Sequence, residues 1–358
     1  MATELLRHEP DYATPPGETL REVLDDLGMT QAELAERTGL SPKHINQVVR
    51  GVAALSPDTA VLLEPVVGVP ARLWNNLEAN YQSQLSAQRE RKSAEADRDW
   101  LQRLPCAELK RRGVLPSTNN VADLVLAARR FFGVASSDSW TSMWAEPQAA
   151  FRLSPSFEPE VGALAAWVRL TELQAQSIDC EPFSAPKLRS ALQAVRAETP
   201  APRSDLHRWL VETFAATGVA FVVVPEVKGA RVSGAAYWMG NKAVLALSLR
   251  YKSDDHFWFS MFHEAGHLLL HPKRDRFIDD GSPSDTVQEQ EADQFAATQL
   301  IPTEHEPELP TLRTLAAIQN FANRLGIAPG IVVGRLQHDG VITFRVGNKL
   351  KRRIQVAA

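Results

Sequence analysis

The sequence predicts an α+β protein in which helices predominate. Most of the chain alternates helical patterns with Pro, Ser and Gly breaks, while two Val-rich stretches near residues 218–249 indicate a small sheet. A helical region followed by a sheet and then a helix pair is typical of α+β domains. We expect five regions: a five-helix N-terminal domain (1–80), a charged helical connector (81–120), a mainly helical middle segment (121–215), a core containing the sheet (216–310), and a C-terminal helix with a β-hairpin at Gly347-Asn348 (311–358).

Composition excludes several classes of protein. The chain has 358 residues, 44% of them hydrophobic and 23% charged, which excludes disordered, collagen-like and low-complexity proteins. No apolar run approaches the roughly 18 residues of a membrane span, and the first residues are acidic where a signal peptide is basic. We therefore expect a cytoplasmic protein without a membrane partner. Its two cysteines are too few for a disulfide framework.

The N-terminal domain consists mainly of five short segments, each with residues that typically start or stop a helix. Each starts with Pro, Ser or Thr, and most end in Gly. The second and third segments have the spacing of a helix-turn-helix, with Gly39 in the turn and Ile45, Val48 and Val49 buried. In that geometry the start of the second helix of the motif faces the DNA major groove. A helical bundle whose turn only resembles this motif is the alternative.

Seven residues of this motif are candidate DNA contacts: Gln31, Pro42, Lys43, His44, Asn46, Gln47 and Arg50. Lysine suits guanine and Asn or Gln suits adenine, whereas Gln31 and Arg50 suit phosphates. However, residues 1–80 carry six basic and twelve acidic residues, a net charge of −6, and duplex-binding domains are usually basic. We therefore expect weak but specific binding, or binding that depends on a homodimer. Two basic stretches, 89–112 and 345–358, are expected to be solvated faces, with assistance at the DNA as the alternative.

A second motif, His-Glu-Ala-Gly-His, occupies residues 263–267. On a helix, positions i and i+4 share one face, so both imidazoles can bind one Zn²⁺ with Glu264 beside the open coordination position. Catalytic zinc needs a third protein ligand, and the next helix offers Glu289 and Asp293. One of these can bind the metal while the other accepts the second N–H of a histidine, which we expect to be His263. Two core histidines without a metal are the alternative.

The chemistry of such a site is metal-assisted hydrolysis. The ion lowers the pKa of its water towards about 7, and Glu264 takes the proton and passes it to the leaving amine. Helical geometry places His271 about 80° from the metal-facing line, so we expect a helix-end residue there, and Glu291 is expected to face elsewhere. The sequence offers five candidates for stabilising the oxyanion without choosing among them: Tyr237, Arg250, Tyr251, His256 and His305.

Both motifs resemble known families. Residues 16–80, with TQAELAERTGLSPKHINQVVRG and RLWNNLEANYQ, are similar to the XRE-type helix-turn-helix of HigA-like antitoxins. Residues 245–337, with HEAGHLLLH and EQEADQFAATQLIP, resemble the ImmA/IrrE metallopeptidases. The resemblance implies a zincin-like fold, one Zn²⁺ held by His263, His267 and Glu289, and Glu264 as the general base, which leaves Asp293 as the histidine's partner. It also implies dimeric binding to an operator and cleavage of a DNA-binding repressor. Mn²⁺ also fits a site with two His and one Glu.

Together the two halves predict a DNA-binding transcriptional regulator with a zinc-dependent endopeptidase domain. We expect it to act in a stress, mobile-element or toxin–antitoxin setting. Its expected partners are a double-stranded DNA operator, a second copy of the chain, and a protein substrate, either a repressor or its own connector. Two alternatives stay open: an antitoxin-like autoregulatory repressor whose metal domain is a sensor without proteolysis, and a peptidase that uses the helical domain for dimerisation or substrate capture.

Overall fold

A computed structural model describes residues 14–145, 160–250, 253–273, 277–279 and 286–354. The chain divides into two compact units, one formed by Met1–Arg98 with Asn120–Leu126 and the other by Asp99–Asn119 with Ala127–Ala358. Each unit has its own hydrophobic core. Helices predominate and one four-stranded sheet is present, so the predicted α+β class is confirmed. The five-region division stays a prediction.

Five helices make up most of the first unit, as predicted: α1 (Pro16–Asp26), α2 (Gln31–Thr38), α3 (Pro42–Val49), α4 (Pro57–Val67) and α5 (Ala71–Ala96). Side-chain oxygens of Thr30, Ser41 and Ser56 accept hydrogen bonds from backbone N–H groups in the first turns of α2, α3 and α4. These caps satisfy donors that the helix itself leaves unpaired, so the short helices begin where the sequence places them.

The packing of α1 against α3 fixes the position of the predicted recognition helix. Gly17 of α1 lies against the main chain of Val49, and a Cβ at this position would lie 2.6 Å from the Val49 carbonyl oxygen. Such a contact is too close for any side chain, so glycine is required for this approach. The predicted turn is present as well, because Gly39 ends α2 in the left-handed conformation with φ 73°. Ile45 and Val48 are buried as expected.

The described parts of the connector and middle segment are helical apart from short breaks. The connector is divided among α5, α6 (Arg98–Gln102) and α7 (Cys106–Arg111), and α8 (Val121–Phe132) contributes to both units. The second unit continues with α9 (Ser137–Trp140), a π-helical turn (Thr141–Ala145), α10 (Val161–Gln176), α11 (Ala185–Glu198) and α12 (Leu206–Ala215). No helix in the described part of the chain combines the length and apolar character that a membrane span requires.

The sheet contains β1 (Val219–Val223), β2 (Gly234–Met239), β3 (Lys242–Leu247) and β4 (Phe277–Asp279), in the order β1-β3-β2-β4. β1 runs parallel to β3, whereas β2 is antiparallel to both β3 and β4. A hairpin turn at Gly240-Asn241 joins β2 to β3. α13 (Asp254–Leu270) packs against β2 and β3 through a core that includes Trp258, Met261 and Phe262. α14 (Val287–Leu300) packs against α13, so the two helices carrying the metal motif lie side by side.

The C-terminal region holds two helices, α15 (Leu315–Leu325) and α16 (Pro329–His338), and a 3₁₀ turn (Asn348–Leu350). The β-hairpin predicted at Gly347-Asn348 is wrong over the described residues, which end at 354. The physical reason is a competing set of side-chain hydrogen bonds. The Gln337 amide donates to the carbonyl of Val346 and to Asn348 Oδ1, while the Asn348 amide donates to the carbonyl of Phe344. These bonds hold residues 344–348 against α16 in a turn, so they do not form strands.

The end of the described chain is fastened to the start of α13. The backbone N–H of Arg352 donates to Asp254 Oδ1 at 3.0 Å, and the backbone N–H of Asp254 donates to the carbonyl of Arg352 at 2.8 Å. Lys351 Nζ lies 2.5 Å from Asp255 Oδ2, and both carboxylates are buried. Part of the basic 345–358 stretch is therefore used inside the second unit, which differs from the expectation that the stretch is a solvated face.

Candidate functional site

The candidate metal centre lies between α13 and α14. His263 and His267 are one turn apart on α13 and nearly completely buried, and α14 supplies the half-buried Glu289. The two Nε2 atoms are 3.0 Å apart, and Glu289 Oε2 lies 3.1 Å from His263 Nε2 and 3.5 Å from His267 Nε2. Among the residues that the structure describes, this is the one group of three such side chains whose donor atoms converge closely enough to hold a metal ion.

The donor set fits a tetrahedral ion. Bonds of about 2.0–2.1 Å would place neighbouring ligand atoms about 3.3 Å apart, within the range of the three separations above. Asp293 Oδ1 lies 2.8 Å from His263 Nδ1. Because an ionised carboxylate can only accept, Nδ1–H of His263 donates to it, and in a neutral ring Nε2 is then left with a lone pair for the ion. Asp293 therefore lies where the sequence analysis expects it.

The charges at the centre are set by burial and by mutual hydrogen bonds. Burial alone would raise the pKa of Glu289, but hydrogen bonds with His263 and His267 lower it to about 2. Burial lowers the pKa of His267 to about 4. For His263, burial alone lowers the pKa, but hydrogen bonds with Asp293 and Glu289 raise it well above its usual value. An anionic Glu289 and a neutral His267 are the forms that a metal ion binds. The raised pKa of His263 means that the neighbouring carboxylates favour a positive charge on its ring, a proton that metal binding would release.

Glu264 is fully buried beside this group. Neither of its carboxyl oxygens has a hydrogen-bond partner within the described part of the chain. Its side chain lies against Gly234 at the start of β2, where a Cβ would lie 2.9 Å from Glu264 Cγ and 3.0 Å from Cδ. Burial raises its pKa well above the usual range. Since an unpartnered buried carboxyl group is costly, its presence here points to a chemical role.

Two further residues lie behind His267, and the sequence analysis missed their contacts. His271 ends α13 as predicted, but its Nδ1 lies 3.0 Å from His267 Nδ1. Its Nε2 lies 3.1 Å from Glu291 Oε2. Glu291 makes this contact rather than joining Glu289 at the centre. The four-residue spacing from His267 to His271 was the available signal, because it repeats the spacing from His263 to His267.

The candidate nucleic-acid interface lies on α2 and α3. Four of the predicted contacts are exposed and three are half-buried, and the exposed ones are Pro42, Lys43, Asn46 and Arg50. Asn46 Nδ2 lies 3.4 Å from Gln31 Oε1, so these two candidates support each other across the turn. His44 differs from the expectation, because its Nε2 lies 3.3 Å from the buried Thr59 Oγ1 of α4. Its ring is engaged within the domain, which leaves it less suited to a base contact.

Comparisons with known proteins match both halves of the chain. A helix-turn-helix family model matches residues 20–74. An uncharacterized HTH-type transcriptional regulator, YddM of Escherichia coli (strain K12), is 33% identical over 63 residues, which are 18% of this chain and 67% of that protein. The chain belongs to the helix-turn-helix transcriptional regulators. Virulence-associated protein I of Dichelobacter nodosus is 35% identical over 77 residues, 21% of this regulator and 71% of that protein.

The second half of the regulator matches the family model of the IrrE N-terminal-like domain, Peptidase_M78, over residues 221–337. Two solved structures match the N-terminal part of the chain. The HigA-family antidote protein from Coxiella burnetii is 26% identical with a TM-score of 0.22, covering 24% of the regulator and 94% of that chain. The Pseudomonas aeruginosa antitoxin HigA with higBA promoter is 29% identical with a TM-score of 0.22, and the match covers 23% of the regulator and 90% of that chain. The predicted fusion of an XRE-type helix-turn-helix with an ImmA/IrrE-type domain is thus confirmed.

The residue that would stabilise the oxyanion stays unassigned. Tyr251 lies outside the described residues. The Tyr237 hydroxyl lies 2.8 Å from Thr171 Oγ1 in the interior, and Arg250 donates to the carbonyl of Arg231. The other two candidates lie beside carboxylates: His256 near Asp255 and His305 near Glu308.

Proposed function

We propose that the regulator binds a DNA operator through α2 and α3 and hydrolyses a peptide bond at the centre on α13 and α14. The observation that carries this proposal is the convergence of His263, His267 and Glu289 beside Glu264, which is fully buried and has no hydrogen-bond partner among the residues that the structure describes. We propose one Zn²⁺ per chain, although two His and one Glu would also bind Mn²⁺.

The bound metal ion supplies a Lewis acid that polarises the scissile carbonyl and acidifies the attacking water. The chain's own residues do the rest. His263, His267 and Glu289 would hold the ion, and Asp293 orients His263 by accepting its Nδ1–H. Glu264 takes the proton of the attacking water on its carboxylate and delivers it to the leaving amine. Burial raises the pKa of Glu264, so its carboxylate is a stronger base than an exposed one.

We propose that the substrate is a DNA-binding repressor or the connector of the regulator itself. The carbonyl groups of a helix are already hydrogen-bonded internally, so a non-helical stretch offers peptide carbonyls that are freer to meet the centre. The longest non-helical stretch of the connector is residues 112–120, between α7 and α8. Self-cleavage would therefore occur there and would break the chain between the helix-turn-helix and the centre on α13 and α14. N-terminal sequencing of the products after incubation with Zn²⁺ would identify the bond.

Metal content per chain is the primary test. We would measure it by elemental analysis on the wild type and on His267→Ala and Glu264→Gln after reconstitution with Zn²⁺. We expect one equivalent in the wild type, a loss in the histidine variant and retention in the glutamine variant. A reconstituted wild type without metal would overturn the peptidase proposal and leave a DNA-binding repressor to be studied.

The net charge of −6 over residues 1–80 favours one alternative, a peptidase whose helical domain serves dimerisation or substrate capture. Phosphate neutralisation makes DNA binding fall steeply as salt rises, so titration with promoter DNA at low and moderate salt separates the two functions. Salt-dependent binding that disappears in Lys43→Ala/Gln47→Ala supports the operator-binding proposal. A wild type that fails to bind upstream DNA even at low salt supports the alternative.

A further inference from the structure

We infer that His271 and Glu291 are positioning residues that fix His267 as a metal ligand through a continuous chain of hydrogen bonds. The chain runs from His267 Nδ1 to His271 Nδ1 at 3.0 Å, and from His271 Nε2 to Glu291 Oε2 at 3.1 Å. This inference rests on the proposed function, because it assigns a role at the same metal centre.

The proton positions follow from the acceptor at the outer end of this chain. The Glu291 carboxylate accepts only, so the proton between it and His271 belongs to His271 Nε2. A neutral imidazole carries one N–H, which leaves His271 Nδ1 with a lone pair. His267 Nδ1 must then carry the proton between the two rings. His267 Nε2 is left with its lone pair facing His263 and Glu289, as a metal ligand requires.

Packing holds both rings in the orientation that this chain needs. Phe277 of β4 stacks on His267 with ring centroids 4.0 Å apart and an interplanar angle of 13°, and its centroid lies 5.0 Å from that of His271. The side chains of His267 and His271 are 1% and 3% exposed, whereas that of Glu291 is 55% exposed. The stacking restrains the tilt of the His267 ring, and the hydrogen bond restrains its rotation. Hydrogen bonds through His271 thus connect the buried His267 with the exposed carboxylate of Glu291.

The two histidine ligands are therefore supported differently. His263 donates directly to the Asp293 carboxylate. His267 reaches Glu291 through an intervening imidazole, at the place where α13 ends. A helix-end histidine with only a capping role would have no effect on which nitrogen of His267 carries the proton. The tautomer of His267 therefore distinguishes a positioning residue from a structural one.

Zn²⁺ affinity of the full chain tests the inference. Competition with a chromophoric chelator would give Kd for the wild type, His271→Phe, His271→Asn and Glu291→Gln. The matched control is His338→Phe, an exposed histidine that ends α16. We expect His271→Phe to raise Kd about 10- to 100-fold, the usual effect of losing a residue behind a ligand. His271→Asn should restore most of the affinity, because its side-chain oxygen can accept from His267 Nδ1. Glu291→Gln should weaken binding less, and His338→Phe should leave Kd unchanged.

Histidine-selective ¹⁵N NMR of the metal-free chain provides the second readout. We expect His267 in the Nδ1–H tautomer in the wild type and a mixture of tautomers in His271→Phe. If that variant fails to fold, as judged by circular dichroism, the test rests on the Kd of the exposed Glu291→Gln variant and on the tautomer of His267 in the wild type. Equal Kd values for the wild type, His271→Phe and Glu291→Gln, or an Nε2–H tautomer in the wild type, would overturn the role of His271. A wild type that binds no Zn²⁺ would instead overturn the proposed function.

Discussion

The two candidate sites of the regulator are built in opposite ways. The helix-turn-helix presents Lys43 and Arg50 at the surface, and the scaffold beneath them is held by caps and by close helix packing. The metal centre instead buries its side chains and holds them by hydrogen bonds with one another. The exposed DNA-contact candidates should therefore be replaceable without loss of stability. Replacing a side chain of the buried centre instead alters the charge or the proton position of a neighbouring side chain.

The largest effect should come from the proposed general base, Glu264, at the buried site. Replacing Glu264 by Gln keeps the shape of the side chain but removes its ability to take a proton. We expect peptide cleavage to fall about 10²- to 10⁴-fold with Zn²⁺ still bound at one equivalent. Cleavage assays beside elemental analysis would check this. Undiminished cleavage by Glu264→Gln would show that another group takes the proton.

At the exposed site, Lys43→Ala/Gln47→Ala should weaken operator binding without changing the unfolding temperature. Two lost base contacts at about 1–3 kcal/mol each correspond to a loss of affinity of about 30-fold or more. His44→Ala is the matched control, because its ring lies against Thr59 and we expect operator affinity to stay nearly unchanged. Fluorescence anisotropy with labelled operator DNA gives both values. A larger loss in His44→Ala than in the double variant would reverse the assignment of the contact residues.

The scaffold beneath the exposed site should be less tolerant than its surface. Gly17→Ala forces a methyl group into the main chain of α3, and such overpacking costs about 1–3 kcal/mol of unfolding free energy. Glu22→Ala, at an exposed position of the same helix, should cost almost nothing. Urea unfolding of both variants would measure the difference. Equal stabilities would mean that α1 and α3 adjust without strain.

The smallest predicted effect concerns Asp254, which anchors the end of the described chain. Burial raises its pKa to about 6, so the folded state binds a proton there more tightly than the unfolded state. Its contribution to stability is fully present below the unfolded pKa near 4 and is lost as the pH rises through about 6. Asp254→Asn keeps the acceptor for Arg352 but removes this titration. Between pH 4.5 and 7.5, the free energy of unfolding should fall by about 1–2 kcal/mol less in the variant than in the wild type, as measured by urea unfolding. Parallel pH profiles would contradict this.

Local signals predicted most of the fold and much of the candidate site. Caps at Thr30, Ser41 and Ser56 place the short helices, and the four-residue spacings on α13 and α14 bring His263, His267, Glu289 and Asp293 together. These features depend on backbone geometry within a few residues, and short sequence patterns are enough to predict that geometry.

Features decided by distant contacts were not predictable in the same way. The Gly-Asn pair at 347–348 gives a turn in the structure, but hydrogen bonds from Gln337 replace the strand pairing that the pattern suggested. His271 lies about 80° from the metal-facing line of an ideal helix, but its contact is with His267, four residues before it, and not with the metal-facing line. The backbone of His271 has left the helix, with φ −111° and ψ 160°, so the helical angle does not describe its side chain. His44 likewise turns towards Thr59, a residue of another helix.

The fastening of α13 has a consequence for synthesis of the chain. Asp254 meets the backbone of Arg352 across 98 residues of sequence, whereas His263 and Glu264 follow it within the same helix. A ribosome that adds about 5–20 residues per second needs several seconds to make the intervening chain. During that interval the helix that carries the metal motif is present on the nascent polypeptide without the segment that closes its first turn. A segment translated several seconds after α13 therefore completes the surroundings of this helix.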